Sequence, residues 1–332
     1  MNKITGKITV LALIVIAIVI VWAAYGYWST VDLGNRNVSL IVAPGDGFSA
    51  TANRLVDSGV VAGSFWLKLP ARLTGVDRKL TPGRYDFTGK NSCASVLEIF
   101  RKSNFVRIKL TVPEGATIRQ VASLVSRALE LDSTEFVSLN DDRNFLSELG
   151  LPSVEGYLFP ETYFIPWGSE VRDVAAEMVL MFRAQTDSLQ VYETPLELEW
   201  EDVIKLASIV EAEARLDSDR DTIASVYLNR LRLDWKLDAD PTVIYGLGGL
   251  DRPLYLKDLE RETPFNTYLH KGLPPTPINS PGLASIIAIL HPAETDYFFF
   301  VADNRGKHVF SRTNAEHNRA RERLHREAQQ NR

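Results

Sequence analysis

The run "ITVLALIVIAIVIVWAA" at residues 8–24 holds no charged side chain, and "YGYW" carries it on to Trp28. About 20 such residues make roughly 30 Å of helix, the thickness of a bilayer's hydrocarbon core. A cleavable signal peptide has an apolar core of only about 7–15 residues before a small-x-small site. Here the core is longer, and Tyr25, Tyr27 and Trp28 follow it as an interfacial aromatic belt does. The sequence therefore predicts a retained single-pass membrane helix over residues 8–28; a buried core helix is the competing reading. Lys3 and Lys7 precede the span, and only Asp32 and Arg36 follow it closely. Positive charge stays inside, so residues 1–7 are expected in the cytoplasm and the rest of the chain outside it, in the periplasm of a cell with an inner membrane.

The rest of the 332-residue chain suits one large or two medium domains. A formal net charge of -5 gives no electrostatic reason to expect nucleic acid as a partner. Cys93 is the only cysteine, so no intramolecular disulfide can form. The five histidines show no paired metal-ligand spacing such as H-E-x-x-H. No metal is expected.

"SLIVAPGDGFSATANRLVDSGVV" at residues 39–61 reads as a strand, a Pro-Gly-Asp-Gly turn and a helix with Ala52, Leu55 and Val56 on its apolar side. Further on, "KLTVPEGATIRQVASLVSRAL" repeats that plan, with Leu55 and Leu124 each 11 residues after Pro44 and Pro113. Between the copies, "KLTPGRYDF" has the pattern of a strand pair and "SVLEIF" that of a short helix. The first module resembles a LysM domain, a small βααβ fold that binds glycan chains. The residues carrying that resemblance are Gly45, Asp46, Ala52 and Leu55. It implies either glycan contact or a spacer that positions the C-terminal part of the chain.

In the C-terminal half, Thr194-Pro195 with Glu197 reads as an N-cap, a Pro at N1 and a capping-box acid, opening a helix near Leu196. Ser218 with Asp221 opens the next, whose Ile223, Val226, Tyr227 and Leu231 share a face. Asp240-Pro241 and Ser280-Pro281 look like two more helix starts. "DYFFFVADNRGKHVFS" predicts strands around an Asn304-Arg305-Gly306 turn, and a charged helix follows from Thr313. The expected class is α+β: a transmembrane helix, a LysM-like module at 38–105, and a mixed helical and strand domain at 106–332.

Inside the helix opened at Thr194, "LASIVEAEA" sets Glu211 and Glu213 among small and apolar residues. Two positions apart on a helix means about 200° apart, so the two acids cannot work as a close pair on one face. Glu213 falls on the side of Leu206, Ile209 and Val210, and Glu211 is flanked by Ala207, Ser208 and Ala214. A carboxyl beside apolar walls has its ionised form disfavoured, which suits a general acid. Each acid also has a plain structural reading: an i,i+4 pair with Arg215 for Glu211, a hydrogen bond to backbone for Glu213.

Five ordered motifs narrow those readings: "EGYLFPETYFIP", "LASIVEAEA", "DADPTVIYGLG", "NTYLHKGLPPTPINSPG" and "LHPAETDYFFFVAD". Over about residues 105–320 the chain resembles the MltG/YceG-like family of membrane-anchored endolytic murein transglycosylases. The resemblance implies cleavage within peptidoglycan glycan strands, between N-acetylmuramic acid and N-acetylglucosamine, leaving a 1,6-anhydro end and using no cofactor. It carries the family's catalytic glutamate onto Glu211 and the motif's second acid onto Glu213. A single carboxyl suffices for such chemistry, because the substrate's own C6 hydroxyl replaces water. A peptidoglycan synthase partner and a role in ending nascent strands are further expectations from the resemblance.

The same motifs supply candidate glycan-groove residues: Glu155, Tyr157, Glu213, Asp240, Tyr245, Asn266, Thr267 and Tyr268. Asp240 is also read as a helix cap, and Glu155 and Tyr157 as packing. Two rival functions stand. A hydrolytic muramidase needs a second acid, drawn from Glu155, Glu161, Glu213 or Asp240; a non-catalytic scaffold that binds glycan for wall synthases needs none. Pyridoxal-phosphate lyase chemistry, which is cytosolic, conflicts with the anchor.

Overall fold

The apolar run folds as helix Asn2–Trp28 in a computed structural model that describes residues 2–303 and 306–330. Residues 10–28 have a mean hydropathy of 2.5. Leu11 and Leu13 lie on opposite sides of this helix, and both are more than half exposed. A helix apolar all round needs apolar surroundings, and this one fits a single-pass membrane anchor. Near its C-terminal end the Trp22 ring meets Trp66 edge to face, with centroids 4.7 Å apart. A Cβ on Gly26 would fall 2.3 Å from the same indole, so that close approach requires glycine.

Two compact units divide the chain. The first runs to Ile108 and takes back Phe164–Ser169; the second holds Lys109–Tyr163 and everything from Glu170 on. In the first, strands Val38–Val42 and Gly83–Phe87 pair antiparallel, Val38 opposite Phe87 and Val42 opposite Gly83. Helices Phe48–Asp57 and Phe65–Thr74 lie between them in the chain. Alternation along the strands turns Leu40, Val42, Tyr85 and Phe87 into a core with Leu55, Leu67 and Phe100. The turn at Pro44 uses Gly45 at φ 86, and Asp46 accepts the Ala43 N–H at 2.9 Å. "KLTPGRYDF" supplies one strand rather than a pair, because Gly83–Phe87 pairs back to the earlier Val38–Val42. The next strand, Lys90–Ser92, closes on Thr30–Asp32. Helix Cys93–Arg101 starts from a Ser92/Ser95 capping box. Cys93 is buried, which pushes its thiol up to about 11.

The second unit opens with the other strand-turn-helix copy. Thr117 Oγ1 accepts the Gln120 N–H at 3.3 Å and Gln120 Oε1 accepts the Thr117 N–H at 2.9 Å, which starts helix Ile118–Leu129. At the centre, helices Trp200–Glu213, Arg220–Arg232 and Leu283–Leu290 pack on one another. Ile204, Leu206, Ile209, Ile223, Val226, Ile286 and Ile289 are fully buried there. The first of these helices begins at Trp200, later than Thr194-Pro195 suggests. Leu196 and Glu197 adopt φ of 58 and 54, left-handed values that stop the Pro195–Glu197 turn from continuing as helix. Likewise Arg220–Arg232 follows a separate short turn at Asp217–Asp219, and Leu283–Leu290 is preceded by Gly282 rather than Ser280. Strands Phe299–Ala302 and His308–Ser311 pair antiparallel, and the terminal helix Asn314–Gln330 packs against both. The expected turn at Asn304 and Arg305 lies outside the described residues. The molecule is mixed α/β, with sheets of two short strands.

Candidate active site

Glu211 and Glu213 leave helix Trp200–Glu213 toward different surroundings. Glu211 Oε2 accepts hydrogen bonds from Arg220 Nη1 at 2.9 Å, the Gly282 N–H at 3.0 Å and Ser285 Oγ at 2.8 Å. The Glu211 and Arg220 side chains are only 7% and 9% exposed. Arg220 is held in turn by Asp217 and by the Ser285 hydroxyl. One carboxylate oxygen thus ties the ends of all three central helices together, through charge-assisted bonds in a nearly dry setting. Among the described residues, Arg215, the alternative i,i+4 partner, forms no ion pair with Glu211.

Glu213, the last residue of the helix, faces a cavity of about 800 Å³. Its Oε1 accepts one hydrogen bond, from the Tyr227 hydroxyl at 3.1 Å. Burial raises its pKa to about 7, and the negative charge of Asp240 pushes the same way, against the Tyr227 bond and the positive charges of Arg230 and Arg215. The carbonyl-rich end of its own helix also disfavours a negative charge there. Asp240 stands at the start of helix Asp240–Gly246 and accepts the Tyr268 hydroxyl at 2.7 Å. Its carboxylate is committed to that bond rather than to capping the helix. Tyr268 is itself held well above the ordinary phenol range, first by burial and then by the Asp240 bond. Aromatic and apolar walls at Tyr255, Leu256, Phe299 and Phe300 complete this side of the cavity.

Of the nine residues expected at the site, the structure brings Glu213, Asp240 and Tyr268 together around one cavity. Five others have different work. Glu155 is sealed at 0% exposure; its two oxygens accept the Ile118 N–H at 3.0 and 3.1 Å, at the start of helix Ile118–Leu129. It also accepts the Tyr245 hydroxyl at 3.0 Å, and burial raises its pKa to about 7. Tyr245 is thereby turned to Glu155 and packs edge-on against Phe265. Tyr157 is buried against Phe182. Asn266 donates to the carbonyls of Leu259 and Arg261, and Thr267 accepts the Ala239 N–H. These amide and hydroxyl groups satisfy buried backbone, whereas a sugar-gripping role would need them turned to the cavity. Glu211 is the ninth, locked by Arg220, Gly282 and Ser285.

Sequence reasoning overlooked Tyr227, placed only as part of an apolar face, and Arg230. Arg230 donates to the Phe298 carbonyl at 2.8 Å and lies over the Phe299 ring at 5.5 Å. A tyrosine on a helix face whose other members are aliphatic is the signal that was available: its hydroxyl needs a partner once the ring is buried. Among the described residues, no three His, Cys, Asp or Glu gather closely enough to hold a metal ion.

Known proteins share this architecture. A crystal structure of a yceG-like protein from Listeria monocytogenes superposes with a TM-score of 0.61 at 28% identity, covering 86% of this chain and 100% of that one. A protein of Bacillus subtilis named endolytic murein transglycosylase is 34% identical over 287 residues, which is 80% of this chain and 73% of the relative. One of Streptococcus pneumoniae with the same name is 28% identical over 72% of this chain and 50% of its own length, so this chain spans half of that relative. The model of the YceG-like family matches residues 40–323. That match runs from within strand Val38–Val42 into the terminal helix, and the chain therefore belongs to the YceG-like family.

Proposed function

We propose that the protein is a membrane-anchored endolytic murein transglycosylase whose proton donor is Glu213. The observation that carries this reading is the Glu213 carboxyl, raised to about 7 and facing a large cavity with one hydrogen bond from Tyr227. An acid with that pKa is still substantially protonated at neutral pH and can give its proton to a glycosidic oxygen. As that proton moves, the bond from the muramoyl anomeric carbon to the oxygen breaks. The muramoyl C6 hydroxyl then closes on the anomeric carbon and returns its proton to the Glu213 carboxylate. No water is consumed and Glu213 ends as it began. The family resemblance carries the acid onto Glu211, but Glu211 Oε2 is already engaged by Arg220, Gly282 and Ser285. We assign Glu211 the task of holding the three helices in register, and Asp240 with Tyr268 that of keeping Glu213 protonated and lining the glycan's path.

The anchor reading extends to topology: N-terminus in the cytoplasm, and residues 38–105 and 106–332 outside as a LysM-like positioning module and the catalytic domain. Strand, helix, helix and strand in the first unit, with outer strands paired, support the module reading. A phosphatase joined to the C-terminus should be active only outside the cytoplasm. A hydrolytic muramidase is the second reading, because Asp240 lines the same cavity and could direct a water. Full-length protein in detergent, given purified sacculi, distinguishes them by product mass. We expect anhydro-muropeptides; products heavier by one water would establish hydrolysis, and intact sacculi would leave a binding scaffold.

A further inference from the structure

The cavity that holds Glu213 has a second wall that the proposed chemistry does not use. Asn314, His317 and Arg321 come from the terminal helix at positions i, i+3 and i+7, so they share one face, and that face lines the cavity. The His317 ring stacks on Phe299 at 5.6 Å, and its Nδ1 is buried without a hydrogen-bond partner. Burial, with the charges of Arg321 and Arg230, lowers its pKa. Arg321 forms no ion pair with a carboxylate among the described residues, whereas Arg230, the other arginine of the cavity, has Asp238 at 3.9 Å. An exposed guanidinium without an ion-pair partner among the described residues shares a cavity wall with an imidazole whose Nδ1 has no hydrogen-bond partner, and such a wall is suited to receive an acceptor with negative charge. Asp238 and Asp240 line the same cavity, so an anionic substituent is repelled by them and drawn to the terminal helix.

We propose that Asn314, His317 and Arg321 form a subsite for a carboxylate carried on the muramoyl unit next to the bond being cut. This rests on the transglycosylase reading and deepens it. Murein offers two carboxylates of this kind: those of the stem peptide, and the lactyl group itself once the peptide has been removed. Seating either one fixes which sugar presents its anomeric carbon to Glu213.

The test is binding, so it does not depend on turnover. Full-length Glu213→Gln protein in detergent is titrated with soluble glycan fragments that retain their peptides, and with the same fragments stripped by an amidase. Adding Arg321→Gln should weaken binding about tenfold, or ~1.4 kcal/mol, on at least one of the two, and should flatten its salt dependence. Loss on the peptide-bearing fragments alone identifies the peptide carboxylate, and loss on the stripped ones alone the lactyl group. Arg321→Lys should recover part of the affinity, since charge without the planar fork serves less well. Arg321 is exposed, so these changes should leave folding intact. Equal affinity of both variants for both fragments would overturn the subsite. Products of the wild-type protein, weighed separately, judge the transglycosylase reading on its own.

Discussion

Two carboxylates on one helix, Glu211 and Glu213, differ in almost everything except residue type. Glu211 is surrounded by donors already fixed in place: a guanidinium, a backbone N–H and a hydroxyl on a single oxygen. Glu213 has one phenol, an acidic neighbour and a cavity. The first arrangement holds structure; the second favours a proton that can leave and return. A site is therefore identified by which group retains unfilled chemical capacity, and less by which acid is better bonded.

That contrast can be broken by mutation. The largest effect is expected from Glu213→Gln, which removes the transferable proton and little volume: release of anhydro-muropeptides should fall by about 10²–10⁴-fold with the fold intact. Wild-type release would end the assignment. Glu211→Gln should act on stability instead, because it leaves the Arg220 guanidinium without its buried counter-charge, at a cost of about 3 kcal/mol in chemical denaturation. The molecules that remain folded should retain activity. A stable but inactive Glu211→Gln would reverse the two roles.

Smaller effects tune the acid. Tyr227→Phe removes the bond that lowers the Glu213 pKa, so the alkaline limb of kcat/KM should move to higher pH. Asp240→Asn removes a charge that raises it, so the limb should move to lower pH. Shifts in the opposite directions would mean that the limb belongs to another group. Stability follows the same proton. Because the folded-state pKa of Glu213 is raised, its contribution is fully present below about 4.5, the unfolded value, and is lost as pH rises through about 7. Glu155 acts in the same direction. Thermal scans of Glu213→Gln across that window should show a weaker decline with pH than wild type.

The features legible in the sequence were local ones. An uncharged apolar run announced the N-terminal apolar helix, the strand-turn-helix plan after Pro113 announced helix Ile118–Leu129, and 200° between Glu211 and Glu213 announced that the two acids would not pair on one face. The rest needed contacts distant in sequence. The Thr194-Pro195 start looked sound, yet Leu196 in a left-handed conformation delayed the helix to Trp200. Asn266 and Thr267 have the side chains of a sugar-binding surface, but only the folded chain brings the unpaired carbonyls and N–H groups that claim them. Glu211 and Glu213 are distinguished by Ser285, 74 residues beyond the first, and by Tyr227, 14 beyond the second. Neither spacing belongs to a local pattern.

The most direct measurement is a titration of the Glu213 carboxyl in full-length protein by carbon NMR with labelled glutamate, its signal identified by loss in Glu213→Gln, set beside the pH profile of kcat/KM. The account predicts a midpoint near 7 that coincides with the alkaline loss of activity. A carboxyl that titrates in the ordinary glutamate range, with activity unchanged through that range, would contradict it.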